Sequence, residues 1–383
     1  MMLKPLLDKI TPYLPNQDSS TVTNLLILVM AMLDKRTVCV NKLKSAVGGI
    51  IDKPETKVQS HYIRLIRFFR AHSSGDLWIH IVRCGLLLLK FDSRYLALDG
   101  SSWQSGGVWH HYITLCVVYR GVAIPIFWTD LAKQGSSSIA ERISLFDRAL
   151  KYFVLQGKVL LADREYIGVD WFKYLINKQI DFVIRSRDYS YFALIDEFSS
   201  GRTVEEMIAK AMRSSKPNKA ISKAFRLSDD GPTLWIVVAK NPHPQGKEDF
   251  MILITSLDQS AYATVTDYLK RWKIEHCFRQ LKSNGFDLEK MNLGNVKRRR
   301  LLMAVVVLAY TIALVEGLKD YKDAVPFKSH GRQGRVYKAI SLFRHGIDRI
   351  LQSAVRLPQF VAYFVGEIRR ATRGYRSSQL LNV

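Results

Sequence analysis

The sequence predicts an α/β protein: a mixed β-sheet flanked by helices, with an inserted β element and helical regions at both ends. Three observations carry this expectation. Two short apolar runs each close on a carboxylate, Leu96-Ala97-Leu98-Asp99 and Val159-Leu160-Leu161-Ala162-Asp163. Apolar, β-branched stretches over residues 109–119 and 122–128 are joined by Arg120-Gly121 alone, which marks a hairpin. Helix-period segments then alternate with strands, the pattern of a sheet covered by helices.

Residues 1–90 read as a helical N-terminal region that binds DNA. Apolar residues recur at helical spacing over 21–33 and 61–69, and Asp18-Ser19-Ser20 caps the first of these. Arg64, Arg67 and Arg70 stand three apart, so they share one helix face that either lies along a phosphate backbone or is simply solvated. Residues 91–187 supply a first part of the sheet: a strand at 95–99, the hairpin, a serine-capped helix at 138–153, a strand at 158–163, a helix at 169–178 and a strand at 181–185. Residues 188–248 form the inserted β element. Lys and Ser are frequent there, Ser228-Asp229-Asp230-Gly231-Pro232 signals a turn, and strands are expected at 225–227 and 234–239, with 250–255 following.

Residues 249–294 are the second part of the core, with one long helix over 261–283. Residues 295–383 form a basic helical region, 17 Lys and Arg against 5 Asp and Glu. Its apolar stretch 301–315 follows Lys297-Arg298-Arg299-Arg300 and is fifteen residues long. That falls short of the roughly twenty needed to cross a bilayer, so a buried helix is expected. Arg369, Arg370, Arg373 and Arg376 lie on a basic face beyond it.

Charge narrows the partner. The chain has 57 Lys and Arg against 34 Asp and Glu, a net charge of +23, while 48% apolar residues are ample for a core. Such an excess repels itself unless a polyanion neutralises it, and nucleic acid does so with release of counterions. Cys39, Cys84, Cys116 and Cys277 form no C-x-x-C pair and match no zinc spacing. Scattered thiols suit a reducing cytoplasm, and no secretory signal is visible. Neither a membrane nor a small-molecule substrate is expected.

Chemistry is expected from three acids. A carboxylate at the polar end of an apolar strand has its backbone fixed by the sheet, and two such ends on neighbouring strands can converge; Asp is also a common turn former there. Asp99 and Asp163 hold such positions. Glu275 lies in a helix where Tyr268, Arg271, Glu275 and Lys282 are spaced by three, four and seven. Those spacings fall on one stripe, which offers a phenol, two cations and a carboxylate. Magnesium accepts one or two carboxylates together with phosphate oxygens. Taken alone, a mixed-charge helix face is also ordinary solvated surface.

These residues resemble the DDE transposases of bacterial insertion sequences, in the branch named for insertion sequence four. Its Y-x2-R-x3-E-x6-K signature is matched by Tyr268, Arg271, Glu275 and Lys282; its aspartate-glycine strand end by Asp99-Gly100, with Trp103 and Gln104 behind; its D-R-E element by Asp163-Arg164-Glu165. The resemblance spans roughly residues 94–290. It implies an RNase H-like core in which Asp99, Asp163 and Glu275 hold two Mg²⁺ or Mn²⁺ ions for DNA cleavage and strand transfer. It places Tyr268, Arg271 and Lys282 on terminal phosphates, with Arg185 and Arg279 as further DNA contacts. Some members form a hairpin and flip a base. Trp272 then suits a wedge and Met251 a stacking partner, whereas Trp235 suits core packing. Met251 stands where an aromatic residue is usual in the family.

The implied partners are transposon-end and target DNA, with a homodimer pairing two ends, in the cytoplasm at the nucleoid. The alternatives are an RNase H-like nuclease or junction resolvase without strand transfer, and an inactive DNA-binding derivative. Retention of all three acids speaks against the last.

Overall fold

The computed structural model describes residues 3–89, 93–105, 107–131, 133–186, 189, 191–216, 219–241, 249–330 and 335–372. The chain opens with α1 (Lys4–Leu7), α2 (Ser19–Lys35), α3 (Val40–Ile50), α4 (Val58–His72) and α5 (Leu77–Leu87), then β1 (Tyr95–Ser105), β2 (Val108–Tyr119) and β3 (Val122–Asp130). It continues through α6 (Ile139–Ala149), β4 (Val159–Ala162), α7 (Val169–Asn177) and β5 (Asp181–Arg185). Next come α8 (Phe192–Glu197), α9 (Val204–Arg213), β6 (Ala220–Arg226), β7 (Thr233–Lys240) and β8 (Phe250–Thr255). It closes with α10 (Ala261–Leu269), α11 (Trp272–Leu281), α12 (Val296–Gly317), α13 (Tyr321–Ala324), the ribbon β9 (Phe327–His330) and β10 (Arg335–Lys338), α14 (Leu342–Ser353) and α15 (Leu357–Thr372).

Eight strands form one sheet in the order β3-β2-β1-β4-β5-β8-β7-β6. β1, β4 and β5 run parallel to one another, and every other neighbouring pair is antiparallel. The first five strands, an antiparallel meander followed by two strands that run parallel to its first, have the RNase H-like order. Helix starts follow local chemistry: Asp18 accepts from the Thr21 N–H, and Ser138 forms a reciprocal capping box with Glu141.

Two expectations need correction, the end of β1 and the long helix over 261–283. β1 does not stop at Asp99 but continues to Ser105, because β2 goes on pairing with it to Val108 after the parallel pairing with β4 has ended at Leu98 and Ala162. The strands of the inserted element join the main sheet: β8 pairs with β5, and β7 and β6 lengthen the sheet beyond it. The helix expected over 261–283 is two helices. At the junction Lys270, Arg271, Lys273 and Ile274 each donate to the carbonyl three residues back, which tightens the turn and lets α10 pack along β4–β8 while α11 packs along β1–β3. Arg299, in the basic run that precedes the apolar stretch, is buried and donates to Asp130 at 3.2 Å and to the Gly294 carbonyl at 2.7 Å.

The apolar stretch 301–315 is the middle of α12. That helix is long and apolar enough to cross a membrane, yet 94% of its most apolar window is buried within the protein. It packs against α2, α4, α5, α14 and β3, so helices from both ends of the chain share one core with the sheet. On α4, Arg67 and Arg70 are exposed, while Arg64 is half-buried and donates to Asn24 at 2.6 Å. Arg369 and Arg370 are exposed on α15; Arg373 and Arg376 lie outside the described residues.

Candidate active site

Strand alternation sets the side on which the acids emerge. Val159 and Leu161 of β4 pack in a small apolar cluster with Val183, Val237, Met251, Leu253 and Tyr268. Asp163, two residues past Leu161, therefore leaves β4 on that same side. Tyr95 borders this cluster, and Asp99 lies an even number of residues beyond it on β1. Leu98 is paired with Ala162, so Asp99 and Asp163 each follow directly on the last paired rung of the two strands.

Each aspartate is fixed by the residue that follows it. The Gly100 N–H donates to Asp99 Oδ1 and the Arg164 N–H to Asp163 Oδ1, both at 2.8 Å. Glycine is required at 100 because a Cβ there would lie 2.7 Å from His111 Cε1 and 3.3 Å from the Tyr166 hydroxyl. The outward oxygens face Arg271. Its Nη1 is 3.8 Å from Asp99 Oδ2, and its Nη2 is 3.9 Å from Asp163 Oδ2. Nη2 also donates to Glu275 Oε1 at 2.8 Å, and Nε to the Tyr268 hydroxyl at 3.2 Å. Tyr268 in turn donates to Asp163 Oδ1 at 3.4 Å. One buried guanidinium thus stands within 4 Å of all three acids. This convergence links the middle of β1 and the end of β4 to a helix far along the chain.

The electrostatics follow from this crowding. Burial pushes the Asp99 carboxyl up to about 7, against the opposing pull of Arg271 and the Gly100 N–H; the charges of Asp163 and Glu275 push it further up. Burial likewise raises the Tyr268 phenol to about 12, so it is a neutral donor to Asp163. The Arg271 guanidinium is held more firmly protonated than usual: burial opposes this, but Tyr268 and the three carboxylates outweigh it.

The remaining expected residues are distributed unevenly. Lys282 is half-buried, lies 5.2 Å above the Trp103 ring, donates to the Ser102 carbonyl at 3.3 Å and pairs with Glu289 at 3.1 Å. Trp272 is half-buried beside Arg271, and Arg279 is exposed on α11. Arg185 is half-buried at the end of β5, and its charge acts on the Tyr268 phenol. Met251 is 2% exposed, because β8 is an interior strand covered by α10; it is a core residue there and not a stacking surface. Trp235, expected in the core, is the half-exposed one of the two.

Two supports went unread in the sequence. The Tyr95 hydroxyl donates to Asp267 at 2.6 Å, and Lys270 bonds Asp267 at 2.6 Å while lying 3.8 Å above the Tyr95 ring. These contacts tie the α10–α11 junction to the start of β1 and so set where Arg271 projects. Glu165, in the D-R-E element, accepts from the Ser137 N–H at 3.0 Å and hydroxyl at 3.1 Å, and so fixes a loop. Its signal was its place beside Asp163.

By donor type the site suits a hard divalent cation, since all three acids offer carboxylate oxygens. By spacing it is closed around Arg271: among the described residues, no three His, Cys, Asp or Glu side chains stand close enough to hold an ion.

The family model for the transposase DDE domain matches residues 70–312, well over half of the chain and including all three acids. The chain belongs to the DDE transposase family. Its chemistry is therefore DNA transposition, and DDE transposases generally use divalent metal ions. The transposase matches no curated protein. Among solved structures it is similar to a piggyBac transposase synaptic complex with hairpin DNA, at 10% identity and a TM-score of 0.44, covering 95% of this chain and 74% of that one. That likeness is too slight to bear on function.

Proposed function

We propose that this transposase, as a member of the insertion-sequence-four branch, binds the terminal inverted repeats of its element, cleaves the ends by metal-dependent hydrolysis and joins the 3′-hydroxyl ends to target DNA. The observation that supports this reading is the meeting of Asp99, Asp163 and Glu275 around a single guanidinium. Asp99, Asp163 and Glu275 would hold two Mg²⁺ or Mn²⁺ ions. When bound, such ions activate a water or a 3′-hydroxyl and stabilise the leaving oxygen.

The protein's own residues do the positioning. The Gly100 and Arg164 N–H groups fix the rotation of the two aspartates, and Tyr268 orients Asp163. Glu275, 45% exposed, opens the site to a strand from solvent. Arg271, Lys282, Arg185 and Arg279 would hold phosphates around the scissile bond, with Trp272 at the strand's edge. The exposed Arg67 and Arg70 of α4 and the basic C-terminal helices would carry DNA further from the chemistry, in a homodimer that pairs two ends.

The test is cleavage of a duplex ending in the element's terminal repeat, in Mg²⁺ or Mn²⁺, followed by joining to a target plasmid. Asp163→Asn is expected to bind the duplex as well as the parent and to cut at least about a thousandfold more slowly, on the scale of losing a group that acts on developing charge. Undiminished nicking by Asp163→Asn would overturn the assignment. Cleavage without joining would reduce the protein to a nuclease.

A further inference from the structure

Arg271 is hydrogen-bonded to only one of the three acids it serves. Its contact with Glu275 is short, 2.8 Å, whereas Asp99 Oδ2 and Asp163 Oδ2 face it at 3.8 and 3.9 Å, beyond hydrogen-bond reach. The inner oxygen of each aspartate is already held by a backbone N–H. The two outer oxygens therefore share a cation through space without being bonded to it. A single guanidinium thus serves three acidic side chains. A guanidinium cannot lose its charge, so it can leave only by moving.

We propose that Arg271 is the resident counter-cation of the metal-free site: it holds Asp99, Asp163 and Glu275 together before metal arrives, and metal entry displaces it, breaking its pair with Glu275 and freeing that carboxylate. This rests on the assignment of the three acids as metal ligands. Any ion that engages the two outer oxygens competes with the guanidinium for them and is repelled by it at short range. Arg271 is thus a positioning residue in the metal-free protein, with its charge available to a phosphate once displaced.

The sign of one measurement separates this role from a structural one. Mn²⁺ binding to the DNA-free protein is to be followed by calorimetry for the parent, Arg271→Gln, Arg271→Lys and Asp163→Asn. Arg271→Gln is expected to bind Mn²⁺ at least tenfold more tightly than the parent, with Arg271→Lys close to the parent. Loss of a merely structural arginine would loosen the ligands and weaken binding. Equal or weaker binding by Arg271→Gln, with binding still lost in Asp163→Asn, overturns the proposal and leaves the metal assignment standing. Binding that ignores Asp163→Asn sinks both.

Should Arg271→Gln not fold, the parent provides the test. The Nε–Hε nuclear magnetic resonance signal of Arg271, assigned by its absence from Arg271→Lys, should shift on Mg²⁺ addition as the bond to Tyr268 breaks. A signal unmoved at saturating Mg²⁺ refutes displacement.

Discussion

Two arginines near the ends of the first parallel strands are equally hidden, Arg142 and Arg271 both 4% exposed, yet they are held in opposite ways. Arg142 donates to the Ser137 hydroxyl at 3.0 Å and to the carbonyls of Ser137 and Glu165 at 2.6 and 2.8 Å, with its guanidinium 5.0 Å from the Tyr166 ring centre. These acceptors are neutral and mostly backbone, fixed dipoles for which a dissolved cation competes far less than for a carboxylate. Arg271 faces three carboxylates and is bonded to one of them. Burial of a cation is therefore no guide to its permanence: what matters is whether its partners are fixed dipoles or charges that a stronger cation also wants.

The largest effect that could break this contrast comes from Arg142. Arg142→Met is expected to cost about 3 kcal/mol of stability, since it leaves buried carbonyls without donors. Urea unfolding reads the loss. Mn²⁺ affinity of the folded fraction should stay within about twofold, because an anchoring arginine has no competitor to exclude. A large change in affinity would erase the distinction between the two residues.

Gly100→Ala is expected to cost about 2 kcal/mol, the usual scale of overpacking a filled site. The new methyl would meet His111, which is itself bonded to the Ser102 hydroxyl at 2.5 Å. Thermal unfolding should show the loss, and Mn²⁺ binding should weaken as Asp99 turns away. An unchanged melting temperature would mean that the wall behind Asp99 yields freely.

A third test uses pH instead of a substitution that removes a contact. An unfolded chain releases the Asp99 proton near pH 4, whereas the metal-free fold keeps it until about 7. Between those values the folded state binds more protons, so this group's contribution to stability falls as pH rises, and it levels off above 7. Melting in a chelator from pH 5 to 8 should show that decline in the parent and not in Asp99→Asn. An equal slope in both would place the titration elsewhere.

Much of the sheet was legible because its strands are apolar runs with abrupt ends: Asp163 follows four buried residues, and the Arg120-Gly121 turn declares its hairpin. The later half of β1 was hidden. Gly100 to Ser105 are mostly small or polar residues whose extended form depends on pairing with β2, and they carry no apolar alternation to announce a strand. The break at Lys270 was hidden for a related reason. Local propensity runs through it, and the tightening answers to which strands lie beneath each half. Spacing brought Tyr268, Arg271 and Glu275 to one stripe, but it cannot tell a phenol turned inward to an aspartate from one offered to solvent. Met251 illustrates the same limit: alternation gives a residue its face, and only the helix above decides whether that face is open.

The central place of α12 bears on how the molecule is made. Helices α2, α4 and α5 rest their apolar sides on a segment that leaves the ribosome more than two hundred residues after them. During synthesis those sides have nothing native to cover them, and a chain terminated before residue 296 would present them permanently. Shortened products of this gene should therefore be prey for chaperones and proteases rather than independent DNA-binding fragments.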